Sequence, residues 1–158
     1  MKAKKTAVSF DTNIIVAALC SFHREHEKCA RVLNRELIQR PTPVLAVHVI
    51  YEALSVLTRL PAPYRIAPRD ALQMLTDSLR DRVTLASLEP TATWDELTNL
   101  VGQGASGRAL YDGLILAAVK KARVSRFYTL NPKHFLRFDT ADVEIIDPSS
   151  PGRSQTHL

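Results

Sequence analysis

A chain of 158 residues, 46% hydrophobic and 23% charged, has the apolar content for one globular core and lacks the signature of disorder. Its 21 Lys and Arg against 16 Asp and Glu give a net charge of +5, which permits contact with a polyanion without establishing one. No window approaches the ~20 apolar residues of a membrane span. The basic start at Met1, Lys2, Lys4 and Lys5 leads into an apolar run interrupted at Ser9 and Asp11, a poor match to a signal peptide, so a soluble, cytoplasmic protein with no membrane partner is expected.

Thr6 to Phe10 reads as a short buried strand ending at Asp11, after which Ile14, Ile15, Ala18 and Leu19 recur at helical spacing. His26 to Ile38 is an amphipathic helix with Cys29, Val32, Leu33 and Leu37 on its apolar side. Between them Cys20, His23, His26 and Cys29 spell a zinc-like spacing. On a continuous helix, however, positions nine apart face opposite ways, and only a broken helix gathers all four. The preferred reading is two small core thiols in a reducing compartment and two histidines near a helix start.

After Pro41 and Pro43, Val44 to Val49 reads as a second strand, followed by a helix from Ile50 to Leu60 that contains Glu52 and stops at Pro61 and Pro63. A helix over Arg69 to Leu79, a strand over Val83 to Leu88, a helix over Thr91 to Gln103 and a glycine-bearing loop over Gly102 to Gly107 come next. Tyr111 to Ala122 is nearly all apolar apart from Asp112 and the terminal lysines, which predicts a helix buried on most of its circumference. Strands over Phe127 to Leu130 and Val143 to Ile146 close the pattern, with Asn131, Pro132, Lys133 and His134 in a loop between them.

Strands alternating with helices imply an α/β fold, a three-layer α/β/α sandwich with a central, mostly parallel and single open sheet. One domain over residues 1–147 is expected, with a polar, mobile tail over 148–158.

In an open parallel sheet ligands gather outside the carboxyl ends of the strands, where Asp11 ends the first strand and Glu52 follows the second within about one helical turn. Asp112 opens the buried helix ahead of the fourth strand. Each acid also has an ordinary explanation. Asp11 and Asp112 suit helix N-caps, and Glu52 suits an ion pair with Arg59 two turns on. If the three converge, their repulsion raises a pKa unless a hard divalent cation, Mg2+ or Mn2+, fills the gap. Haloacid-dehalogenase-like phosphatases and response-regulator receivers also place an aspartate after the first strand. The former need a second acid where Asn13 stands, and the latter need an aspartate after the third strand, which here ends near Leu88 and Glu89.

Four segments together resemble the motifs of PIN-domain proteins, especially VapC-type toxins of bacterial toxin-antitoxin systems. They are Val8-Ser9-Phe10-Asp11-Thr12-Asn13, Glu52-Ala53-Leu54-Ser55-Val56-Leu57-Thr58-Arg59, Tyr111-Asp112-Gly113-Leu114-Ile115-Leu116-Ala117-Ala118 and Thr129-Leu130-Asn131-Pro132-Lys133-His134-Phe135. The resemblance spans residues 6 to about 146. It implies a magnesium-dependent endoribonuclease that cuts RNA phosphodiester bonds with metal-activated water, in which Asp11 and Asp112 bind the metal and Glu52 completes the site. Asn131 stands where the family carries a fourth acid and offers a carbonyl oxygen but no charge. The resemblance also implies a cognate antitoxin protein and a homodimer. Thr12, Asn13 and Thr129 are candidates to hydrogen-bond the acids, or are ordinary caps and turn residues. Arg65, Arg69, Arg108, Lys133 and Arg137 are candidates for a basic rim facing single-stranded or looped RNA, each also readable as solvated surface. The competing reading is a catalytically silent PIN scaffold that binds RNA or a protein partner.

Overall fold

The computed structural model describes residues 6–151; the expected tail lies partly outside them, at 152–158. The first strand, β1 (Val8–Phe10), is wholly buried and gives way at Asp11 to helix α1 (Thr12–Leu19). Helix α2 (His26–Leu37) buries Cys29, Leu33 and Leu37, which fall at intervals of four and so form one stripe. Then follow β2 (Val44–Ala46), α3 (Val47–Thr58), α4 (Pro68–Leu79), β3 (Thr84–Ala86), α5 (Thr93–Gly102), α6 (Ala109–Lys121), β4 (Arg126–Tyr128), α7 (Pro132–Leu136) and β5 (Glu144–Ile146). Pro68 opens α4, where its missing N–H has no intrahelical partner to lose. A short 3-10 turn, Pro90–Ala92, leads into α5.

All strand pairs are parallel, as the alternating elements require. The expected single sheet is divided, however, into β1-β4-β5 and β2-β3. Strands β1 and β2 lie against each other without a ladder. Each runs for only three residues before the chain turns into a helix, and Phe10 and Leu45 join them through the shared core instead.

Two further expectations are corrected. The strand read over Val44 to Val49 ends at Ala46, and helix α3 begins at Val47, three residues ahead of the expected start. Val47 and Val49 favour strands by propensity, but Val49, Ala53 and Leu57 are all fully buried at a spacing of four, and that packing decides the local structure. Glu52 therefore sits in the second turn of α3. The loop expected over Asn131 to His134 is mostly helix α7, started by Pro132 and pinned by the fully buried Phe135, whose ring lies 4.7 Å from that of Phe127. Five residues are too few to display a period.

The core runs between the sheets and α1, α3 and α6. Helix α5 approaches α6 closely at Gly113, where a Cβ would come within 2.5 Å of the Leu100 side chain. The loop between these helices turns through Gly104 and Gly107, both with positive φ, a conformation L side chains rarely adopt. This loop delivers Arg108 and the first turn of α6. Among the described residues, no helix is long and apolar enough to cross a membrane.

Candidate active site

Asp11 is placed by the exit of β1: its backbone is extended, its N–H donates to the carbonyl of Tyr128 on the neighbouring strand, and its side chain caps α1. The N-cap explanation is thus true of one oxygen. Oδ1 accepts from the Thr12 N–H at 2.8 Å, while Oδ2 accepts from the Thr129 hydroxyl at 2.7 Å. Thr129 follows β4 and is fully buried. Its oxygen also accepts from the Asn13 amide at 3.3 Å and from the Asn131 N–H at 3.0 Å. Asn13 Oδ1 accepts in turn from the Leu130 N–H at 3.1 Å. One hydroxyl therefore ties Asp11, the first turn of α1 and the start of α7 together.

Glu52 comes from α3 and is fixed by the Thr12 hydroxyl, which donates to its Oε2 at 2.6 Å. The alternative pairing with Arg59 does not occur, since Arg59 Nε donates to the carbonyl and hydroxyl of Ser55. The cation nearest Glu52 is Arg108, 4.0 Å from Oε1 and almost wholly in solvent. Asp112 lies within the first turn of α6 rather than at its N-cap, which is Arg108, so the capping explanation fails for it. His134 Nδ1 stands 3.6 Å from Asp112 Oδ2.

Asp11, Glu52, Asp112 and Asn131 all line one cavity of about 770 Å³, together with Thr12, Asn13, His134, Arg108 and Arg137. Burial pushes the Asp11 carboxyl up from 3.8 to about 7, against the lowering effect of its bonds to Thr129 and Thr12, and the charges of Asp112 and Glu52 raise it further. Asp112 is also raised, chiefly by burial and then by Glu52, with His134, Arg108 and Arg137 acting the other way. Carboxylates that perturb one another across a cavity mark a candidate catalytic or metal-binding site.

The expected rim is present in part. Arg108 and Arg137 line the cavity, whereas Arg65, Arg69 and Lys133 do not. Arg65 donates to the Leu60 carbonyl. His134 and His23 also line it; nothing in their sequence spacing points to this cavity, and the approach of His134 to Asp112 depends on the fold of α7. The zinc-like quartet is not a site. Cys20 and Cys29 are buried thiols, the His23 ring accepts from the Glu25 N–H, and the His26 ring bonds the Ala17 carbonyl. Among the described residues, no three His, Cys, Asp or Glu side chains stand close enough together to hold a metal ion as a group, and that includes Asp11, Glu52 and Asp112.

The PIN domain family matches residues 8–141 of this chain. A Mycobacterium tuberculosis protein named ribonuclease VapC40 is 33% identical over 112 residues, 71% of this chain and 78% of its own length. Another from that organism, ribonuclease VapC27, is 31% identical over 121 residues, 75% of this chain and 81% of its own. Among solved structures, VapBC-1 from nontypeable Haemophilus influenzae gives a TM-score of 0.62 at 18% identity, covering 91% of this chain and 99% of that one. Mycobacterium tuberculosis VapC20, described as a sarcin-ricin loop cleaving toxin, gives 0.60 at 16%, covering 77% and 87%. At those identities the structures speak for the fold, while the family match and the VapC ribonucleases above 30% identity speak for descent. With acids from β1, α3 and α6 meeting in one cavity and a family match from Val8 to Ala141, this chain belongs to the PIN-domain family, beside the VapC toxins.

Proposed function

We propose that the chain is a metal-dependent endoribonuclease and the toxin of a type II toxin-antitoxin pair. The observation that carries this reading is the meeting of Asp11, Glu52 and Asp112, from three separate segments, around one cavity with exposed arginines at its edge. The VapC relatives named as ribonucleases support the reaction class.

The donor set suits a hard divalent ion, Mg2+ or Mn2+. The oxygens at the cavity come from carboxylates and the Asn131 amide, and magnesium keeps several waters while taking only one or two carboxylates, so two acids suffice although no three are gathered closely enough to hold an ion. Asp11 and Asp112 are the residues that would hold it. When bound, such an ion lowers the pKa of water toward neutrality and offsets charge on phosphoryl oxygens.

The chain's own residues do the rest. Thr12 and Thr129 fix the Asp11 carboxylate between two donors, so that it presents the same oxygens to every substrate. Thr12 also holds Glu52, leaving its other oxygen, Oε1, to accept a proton from water or to meet Arg108. Arg108 and Arg137 draw the RNA phosphates toward a site whose acids would otherwise repel them. Asn131 contributes a neutral carbonyl.

An antitoxin protein is the partner that goes with this reading, covering the acidic cavity and holding the chain inactive, and a homodimer and a cytoplasmic location go with it too. The likeness to VapBC-1 and to a toxin-antitoxin complex from Klebsiella pneumoniae, with a TM-score of 0.61 at 16% identity, supports the antitoxin. The test is direct. Purified chain should cleave single-stranded RNA with Mg2+, stop with a chelator, and lose cleavage on Asp11→Asn while its circular dichroism spectrum is retained. Cleavage that survives Asp11→Asn in clean preparations overturns the assignment.

A further inference from the structure

On the side of the cavity formed by α3 and α6 lies an aromatic pair to which the hydrolytic chemistry gives no task. Tyr111 immediately precedes Asp112, and its ring lies on that of His48 in the first turn of α3, with centroids 4.9 Å apart and planes 10° from parallel. The pair therefore bridges the two helices that carry Glu52 and Asp112. Tyr111 nevertheless remains 53% exposed, and it lines the cavity beside Glu52, Arg108 and Asp112. Arg108 precedes it by three positions, so the two project from one side of the chain, and the arginine side chain is 95% exposed.

Exposure alone does not mark Tyr111, because Tyr64 also stacks on a ring and is 47% exposed; what marks it is that Tyr111 lines the cavity and Tyr64 does not. The Tyr111 ring is held flat by a second ring and keeps much of its surface open beside the acids. Every nucleobase has a π-face, but only an unpaired base can leave its neighbours to lie on a protein ring.

We propose that Tyr111, braced by His48, is a stacking platform for an unpaired RNA base beside the phosphate under attack, with Arg108 engaging the backbone of the same strand. This rests on the ribonuclease reading and adds to it a reason for preferring single-stranded or looped RNA: a base locked in an A-form stack has no face to offer.

The experiment uses the full chain carrying Asp11→Asn, so that the probe survives, and follows binding by fluorescence anisotropy. The probes are a short labelled oligouridylate and the same sugar-phosphate strand made abasic. Adding Tyr111→Ala should weaken oligouridylate binding about tenfold, the weight of one base on an aromatic ring, and leave the abasic strand unaffected. Tyr111→Phe, which keeps the ring, should restore the oligouridylate affinity. Trp94→Ala, at an exposed ring outside the cavity, should change neither probe. Equal weakening on both strands, or a change in the sedimentation of the RNA-free chain on Tyr111→Ala, would assign the ring to another task such as contact between copies. That result overturns the platform and leaves the ribonuclease reading standing. If the chain with Tyr111 intact binds neither strand while the unmutated chain cleaves RNA with Mg2+, the platform falls and the ribonuclease reading stands; if the unmutated chain does not cleave either, both fall.

Discussion

Replacing Asp11 by asparagine should make the metal-free protein more stable at pH 8 and less stable at pH 3.5. Burial pushes the folded carboxyl up from 3.8 to about 7, and the residue is only 7% exposed. Between those two values the folded chain holds a proton that the unfolded chain has released, so stability falls as pH rises, and above about 7 the loss is complete. At ~1.4 kcal/mol for each pH unit separating the two values, the wild-type protein gives up about 4 kcal/mol across the window. The variant has no such titration. It carries a cost of its own, because an amide nitrogen facing the Thr129 oxygen meets an atom that already accepts from Asn13 and Asn131. That cost, about 1–2 kcal/mol, is constant with pH. The two stability curves should therefore cross. Urea unfolding with a chelator present, followed by circular dichroism at several pH values from 3.5 to 8, measures the difference curve, in which groups common to both proteins cancel. Parallel curves would refute the claim that Asp11 is held ionised at a cost. Saturating Mg2+ should flatten the wild-type curve, because an ion on the carboxylate displaces the proton.

Thr129→Val keeps the shape of a fully buried side chain but removes one donor and one shared acceptor, leaving Asp11, Asn13 and Asn131 each short of a bond. A loss of about 3 kcal/mol is expected, read as a fall in Tm of roughly 6–12 °C for a domain of this size, with Thr129→Ser much milder; a shift within error would mean the node is replaceable. Asn131→Asp adds a carboxylate to the cavity and should tighten Mn2+ binding several-fold in calorimetry while lowering metal-free stability at neutral pH. Unchanged affinity would place residue 131 outside the reach of the ion.

The acids were legible because the feature that exposes them is local. A strand that ends on Asp11 and turns at once into a helix must present that side chain at the sheet edge, and Asp112 stands out as the one acid in the apolar run of α6. Those signals need only period and position. The division into two sheets was not legible, because ladder formation between β1 and β2 depends on how two three-residue strands meet and leaves no trace in either. The start of α3 was misread for a related reason: Val47 and Val49 carry strand propensity, and the burial of Val49, Ala53 and Leu57 that overrides it exists only in the folded core. Helix α7 escaped because five residues show no period, and with it escaped the approach of His134 to Asp112.

That approach bears on how the site is balanced. Two of the three acids have a basic side chain beside them, Arg108 at Glu52 and His134 at Asp112, and both are largely exposed and can swing away at little cost. Asp11, the most deeply buried of the three, has hydrogen bonds but, among the described residues, no ion pair. Its charge is stabilised by two dipoles that are weaker than the desolvation they oppose, which is why its carboxyl stays raised. A structural acid would be expected to show the reverse, with the firmest counter-charge at the most buried position, as Glu36 does where Arg35 and Arg126 converge on it at 2.9 and 3.5 Å. The same chain thus pairs one buried acid fully and leaves another short, and the one left short is the one that faces the cavity.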